Sequence, residues 1–447
     1  MAVGKRKPAF QRELFVLAEE LPTTAAHPFY AKVNDLLEKN GFDRFAQERC
    51  ASFYASRLGR PGLPPGNYFR LMMIGYFEGI ASERGIAWRV ADSLALRHFL
   101  GLALTEPTPD HSTISKTRRL ISLETHHEVF SWVLELLARE KILVGKTIGV
   151  DATTLEANAA MRGIIRRDTG EPYPEFLEKL AKAAGVDTQS REDLARFDRK
   201  RKKKTSNKDW KSPVDPDSRV ARMKSGSTHL AHKIEHAVDM DSGAVVGVTV
   251  QGADLGDTTT VHETVRESIF GLGSASGPKG NPDLRRNVLT EIVTDKGYNS
   301  SAAILDLSIF GLRTYIPEPE RGTRDWTGKD AERDATSANR RRIRGKRGQA
   351  LLRKRGEQVE RSFAHCYETG GMRRLFLRGR ENIKKRLLIH LAGFNFSLIM
   401  RKLFGKGTPR GWADFFCQIL LQIVMFFRWF QRNFSRTHVS PQFLAAP

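Results

Sequence analysis

The chain has 447 residues, more than one hydrophobic core usually organises, so two or three domains are expected. Hydrophobic residues at 40% and charged residues at 28% exclude a mainly disordered chain. The 73 Lys and Arg outnumber the 51 Asp and Glu, giving +22 and a pI near 10.0; an excess of that size concerns partners rather than fold, and its commonest partner is nucleic acid.

Cys50, Cys366 and Cys417 lie far apart and form no CxxC pair, which argues against a disulfide framework or a zinc ribbon and for a reducing compartment. The basic start has no apolar stretch behind it and does not read as a secretory signal. Residues 1–140 read as an all-α N-terminal domain. Phe69, Met72, Met73, Tyr76 and Phe77 recur at helical spacing after the breaker run 61–66, and Ile86, Val90 and Leu94 continue the pattern. In Thr108-Pro-Asp-His-Ser-Thr-Ile-Ser-Lys-Thr-Arg-Arg a proline stops one helix and Asp110 or Ser112 caps the next. Lys116, Arg118 and Arg119 then fall in its first turns. A basic helix after a short turn is what a helix-turn-helix reader offers to DNA, and plain packing of the same helix competes with that reading.

From residue 146 the pattern changes to strands. Residues 146–154, 230–238 and 244–250 alternate or are β-branched, and Asp241-Ser-Gly turns the last two into a hairpin. A helix over 257–270, a strand over 288–294, a helix over 300–310 and a strand over 312–316 follow. Helices over 349–368 and 381–403 close the unit. This is an α/β fold, a mixed sheet with flanking helices over 141–405. Two basic stretches interrupt it: 160–226, between the first two strands, with Lys202, Lys203 and Lys204, and a basic loop over 318–348, with Arg340, Arg341 and Arg342. Two such runs in one sheet domain point to phosphate contact. Residues 406–447 form an apolar C-terminal helix and tail. Asp414, Gln418 and Gln422 line one stripe of it, which predicts a helix docked on the body or on a second copy rather than a membrane span.

Three acids stand out. Asp151 follows Ile148 and Val150 within a strand, where a carboxylate costs desolvation unless a cation or donors receive it. Asp295 ends a strand, although Asp-Lys-Gly is also an ordinary turn. Glu360 lies in a helix beside Val359 and Phe363, where a solvated face is the plain alternative. Gathered by one sheet, acids can hold two divalent cations about 3.5–4 Å apart for in-line displacement at phosphorus. Oxygen ligands suit Mg2+ or Mn2+, while His229, His232 and His236 on a strand lack the helical zinc-binding geometry.

The sequence resembles the DDE transposases of bacterial insertion sequences. The resembling parts are Ile148-Gly-Val-Asp-Ala-Thr, His232-Lys-Ile-Glu-His-Ala-Val-Asp, Val293-Thr-Asp-Lys-Gly-Tyr and Val359-Glu-Arg-Ser-Phe, then Gly371-Met-Arg-Arg, Leu377-Arg-Gly-Arg and Phe394-Asn; residues 64–119 resemble the helical N-terminal domain of that family. The resemblance implies a ribonuclease H-like catalytic domain in which Asp151, Asp295 and Glu360 are the catalytic, metal-binding triad for two Mg2+ or Mn2+ ions. It implies double-stranded DNA as partner, both terminal inverted repeats and target, and a homodimer or higher homo-oligomer on that DNA. Many relatives carry Lys or Arg six or seven residues past the catalytic Glu; here Cys366 and Tyr367 stand there, leaving Arg361, Arg373 and Arg374 as candidates for that phosphate contact. A metal-dependent nuclease with the same core and a non-catalytic DNA-binding regulator are the alternative readings.

Overall fold

The computed structural model describes residues 27–434, apart from 56–61, 187–189, 202–205, 224–225, 277–288, 321 and 323. Among the described residues seven α-helices come first: α1 Pro28–Lys39, α2 Phe42–Cys50, α3 Pro65–Glu78, α4 Glu83–Ala91, α5 Leu94–Phe99, α6 His111–Leu120 and α7 Leu123–Arg139. Side-chain caps set the starts of the last four. Ser82, Ser93, Asp110 and Ser122 each accept a backbone N–H from the first turn of α4, α5, α6 and α7, so Asp110 rather than Ser112 begins the basic helix. Helix α3 is buried on nearly every side from Tyr68 to Phe77 and forms the centre of this region.

The sheet follows. Its long strands are β1 Thr147–Glu156, β5 Thr228–Asp239 and β6 Val245–Gly252, its short ones β4 Arg219–Arg222, β7 Glu291–Val293 and β8 Arg313–Tyr315; β2 Ile165–Arg166 and β3 Trp210–Lys211 pair separately. The order is β6–β5–β1–β7–β8, with β4 beside the first residues of β5. Strand β5 runs antiparallel to both β1 and β6, while β7 and β8 run parallel to β1. That order and those directions are what the expected mixed α/β, ribonuclease H-like sheet requires. The β5–β6 hairpin closes where Asp239 accepts from Ser242 and Gly243 takes φ 75°, a left-handed conformation that favours glycine.

Helices cover both faces. Helix α10 Asp257–Ala275 lies on one and α13 Lys346–Phe363 on the other; α11 Ser301–Ile309 connects β7 to β8, and α12 Asp330–Arg344 precedes α13. Helix α14 Arg380–Phe404 joins the sheet to the N-terminal helices. Its Asn395 side chain pairs with both backbone groups of Val245, at 2.9 and 2.8 Å. Its buried Arg386 donates to the Met72 and Ile80 carbonyls at 2.7 and 3.1 Å, which offsets part of the cost of burying a guanidinium and leaves its Nε without a partner. Gly75 makes the room, since a Cβ there would lie 2.1 Å from the Arg386 Nη2. One continuous apolar core therefore runs from α1 through α3, α7 and α14 to the sheet.

The basic insertion over 160–226 is folded where described: α8 Tyr173–Ala183, α9 Arg191–Lys200 and the β2–β3 pair enclose a small core of Ala157, Ile164, Trp210 and Leu230. Asp215 and Asp217 from this insertion accept the Gly379 and Arg380 N–H groups at the start of α14, and Asp215 also meets His232 at 2.8 Å. The 318–348 stretch is not the expected loop, because α12 fills 330–344. Acids in its first turn, Asp330 and Glu332, and arginines in its last, Arg341, Arg342 and Arg344, suit the helix dipole, so the charge run supports a helix instead of keeping the chain open.

The last helix is α15 Pro409–Phe434; at its start Arg410 donates to the Glu78 carbonyl and Trp412 meets Phe404. Docking of its apolar surface on the body is not found in the described part: Met425 is 64% and Phe427 59% exposed. One stretch, Arg380–Trp412, is long and apolar enough to cross a membrane, and its apolar window is 72% buried inside the protein as the core helix α14.

Candidate active site

Strands β1 and β7 set Thr147 opposite Glu291 and Gly149 opposite Val293. Asp151 and Asp295 each lie two residues beyond that last pair, Asp151 midway along β1 and Asp295 just past the end of the neighbouring parallel strand β7. Asp295 caps the turn Lys296–Tyr298 by accepting the Gly297 N–H at 2.9 Å. The turn is tight because residue 297 has no side chain. A Cβ there would lie 2.6 Å from Asp257 Oδ2 and 3.1 Å from Asp295 Oδ1, so Asp257, the first residue of α10, stands beside Asp295.

Asp151 points to the sheet face that α13 covers. The helix comes close because Gly149, two residues earlier on the same face, is bare; a Cβ would lie 2.9 Å from Val359 and 3.4 Å from Arg355. Asp151 accepts from Arg355 Nη1 at 2.9 Å and from the Ala152 N–H at 2.8 Å. Burial raises its carboxyl above the ordinary carboxylate value; Arg355 and the Ala152 N–H act against that rise, and the charge of Asp295 adds to it.

Glu360 is exposed on α13, next in sequence to the buried Val359, while Glu357 one turn earlier pairs with Arg361 at 2.9 Å on the outer surface. The fold thus brings Asp151 and Asp295 together and puts Glu360 on the helix that crosses β1, without closing the three into one cluster. Among the described residues no three Asp, Glu, His or Cys converge closely enough to hold a metal ion. The donors are all carboxylate oxygens, a set that fits a hard divalent cation, and Arg355 is the cation that Asp151 meets in this structure.

Beneath the acids lies a network that the sequence reading quoted without assigning a role. Glu235, opposite Ala152 on β5, is buried on the α10 face. It accepts from Thr264 at 2.6 Å, from Tyr298 at 3.1 Å and from Thr260, and meets Lys233 Nζ at 3.1 Å. Lys233 in turn holds Asp257 at 2.6 Å. Strand β5 thereby fixes the turn that carries Asp295 and the start of α10. The signal available in the sequence was the pair Lys233 and Glu235, two charges on one face of a strand otherwise fit for burial.

On the α13 face His236 lies opposite Asp151, bonds the Tyr367 hydroxyl at 2.6 Å and stacks on Phe363. Burial pushes its imidazole down to about 3, so the ring is neutral near pH 7. Cys366 and Tyr367, which stand where a phosphate-binding Lys or Arg was sought, are buried in a wide π-helical turn over Ala364–Thr369. Their place in the core explains the absence of a cation there.

The basic candidates divide. Lys116, Arg119, Arg341 and Arg361 are exposed, as are Arg373 and Arg374, which pair loosely with Glu368 and Glu156 at 3.2 and 3.8 Å. Arg118 is buried on Glu83 at 2.6 Å and also bonds Asn382; Arg340 forks onto Glu318 at 2.7 and 2.9 Å; Arg342 donates twice to Thr314 at 3.0 Å. These three guanidiniums hold the protein together. Lys202, Lys203 and Lys204 lie outside the described residues.

Comparison with known families gives two matches in chain order. Residues 17–120 match a family described as "Transposase domain (DUF772)", and residues 319–400 match one described as "Transposase DDE domain". The second segment contains α12, α13 with Arg355 and Glu360, and most of α14. No curated protein matches the chain.

Proposed function

We propose that this DDE transposase binds the terminal inverted repeats of an insertion sequence, cuts DNA strands there and joins the freed ends to target DNA. The observation that carries the reading is Asp151 within β1 beside Asp295, just past the end of the adjacent parallel strand β7, with the helix that bears Glu360 lying across β1. Asp151, Asp295 and Glu360 would hold two Mg2+ or Mn2+ ions. Bound there, such ions supply the charge stabilisation that in-line displacement at phosphorus needs. Water attacks the scissile phosphorus and the P–O3′ bond breaks; in joining, the freed 3′-hydroxyl attacks a target phosphodiester and displaces its 3′ oxygen. Neither step needs a covalent link to the protein. Tyr298 and Tyr367 are buried and hydrogen-bonded, which suits structure rather than attack.

DNA recognition falls to cations that the protein leaves outward: Lys116 and Arg119 on α6, Arg341 on α12, Arg361 on α13, and Arg373 and Arg374 before α14, together with Lys202, Lys203 and Lys204 of the insertion. Phosphate contacts of this kind position a duplex and carry no sequence information themselves. Bringing two element ends together calls for a homodimer or higher assembly. The test is a joining assay with a labelled, pre-cleaved terminal repeat, a supercoiled target plasmid and Mg2+. Label transferred to the plasmid is the expected result; cutting without transfer would identify a nuclease instead.

A further inference from the structure

A carboxylate set within β1, with a second acid just past the end of the neighbouring strand β7, needs a cation, and in this protein one is built in. Arg355 reaches Asp151 from α13, its side chain only 15% exposed and its Nη1 2.9 Å from Oδ2. Among the described residues Asp151 is the only acid it pairs with. The phase of α13 makes this choice. Arg355 and Val359, four apart, share the side pressed on Gly149, whereas Glu360 is turned about 100° from Val359 toward solvent. The nearness of Val359 and Arg355 to the bare Gly149 keeps the guanidinium against β1.

We infer that Arg355 is an internal counter-cation: it neutralises Asp151 while no divalent ion is bound, must leave Asp151 for an ion to bind there, and then offers its fork to a DNA phosphate. The inference rests on the proposed function, since it concerns the same acids. A guanidinium and a divalent ion compete for the Asp151 carboxylate, because at that range they repel as like charges. A displaced guanidinium exposed to solvent gains little, but beside a phosphate it finds a planar, two-pronged acceptor. Ion binding and DNA binding therefore assist each other, and the free protein holds ions weakly. The arrangement keeps a phosphoryl-transfer site from loading before its substrate arrives.

The experiment is Mn2+ binding to the full chain, followed by the EPR signal of the free ion, for wild type, Arg355→Gln, Arg355→Lys and Asp151→Asn. Each is measured alone and with a terminal-repeat duplex. Removing the competing charge in Arg355→Gln should tighten Mn2+ binding without DNA by about tenfold or more. The duplex should tighten binding in wild type and add little in Arg355→Gln. Arg355→Lys keeps the charge without the fork, so it should bind Mn2+ like wild type when free and show weaker coupling to DNA; this comparison stands even if Arg355→Gln does not fold. Equal Mn2+ affinity in wild type and Arg355→Gln, or equal coupling in wild type and Arg355→Lys, would overturn the role of Arg355 while leaving the acids as the ion site. Mn2+ binding that Asp151→Asn does not weaken would instead remove the acids themselves and the proposed function with them.

Discussion

At Gly149 the lack of a side chain decides how close α13 comes to β1, and with it which charge reaches Asp151. Replacing it with alanine would put a Cβ 2.6 Å from Met240 Sδ and 2.9 Å from Val359. The methionine can swing aside, but the branched Val359 on a packed helix cannot, so α13 must shift outward. Gly149→Ala should cost about 1–3 kcal/mol, the range for overpacking a filled core, in a urea titration that compares midpoints. A stability equal to wild type would show that the helix is free to move. Arg355 itself was not legible as special in the sequence. It stands in Arg353-Lys-Arg, and only the phase of a helix 204 residues further along separates it from its neighbours.

Among the elements, the strands were legible because their β-branched and apolar residues alternate or run continuously, and the mixed order of strand and helix gave the sheet. The inserted stretches were not, because a count of like charges says nothing of where each charge finds its partner: Arg340 and Arg342 face Glu318 and Thr314, and Trp210 with Tyr173 builds a core inside the basic insertion. Glu291 shows how such partners tie elements together. It ends buried on β7 and accepts from Arg347 of α13 at 3.1 Å, from Thr147 of β1 at 2.7 Å and from Tyr315 of β8 at 3.1 Å. Burial alone would raise its carboxyl; Arg347, Thr147 and Tyr315 outweigh that and hold it below its ordinary value. A carboxyl lowered by folding contributes stability that is present above its unfolded value, near 4.3, and is lost as pH falls through the folded value. Glu291→Gln should therefore destabilise the protein by about 1–3 kcal/mol at pH 7 and by progressively less below pH 4. A difference from wild type that does not shrink with acid, measured by denaturant midpoints across that range, would mean that packing and not the charge of Glu291 is what matters.

For the whole molecule the site was more legible than its closure. Asp151 and Asp295 were expected to be gathered by one sheet, whereas Glu360 depends on where an exposed helical face turns, which spacing alone does not fix. Two further expectations belong at this scale. Removing residues 413–447 should leave the melting temperature within about 4 °C, since the apolar side chains over Leu421–Phe430 are exposed and the anchoring contacts of α15 lie at Arg410 and Trp412. A fall of 10 °C or more by calorimetry, on the order of 9 kcal/mol for a chain of this size, would show that the helix stabilises the body. Binding to duplex DNA, for its part, should weaken on the order of a thousandfold between 50 and 200 mM salt if six or more phosphates are contacted. A flat titration would take the outward cations out of the interface.

The central claim is that Asp151, Asp295 and Glu360 act together on DNA through bound divalent ions. It is tested most directly by cleavage of a labelled terminal-repeat duplex in Mg2+, with binding to the same duplex measured alongside, for wild type, Asp151→Asn, Asp295→Asn, Glu360→Gln and Glu357→Gln. The first three substitutions should each abolish cutting while leaving binding near wild type. Glu357→Gln, whose carboxylate pairs with Arg361 on the outer face, should cut within about tenfold of wild type. Full activity in Glu360→Gln together with loss in Glu357→Gln would contradict the account.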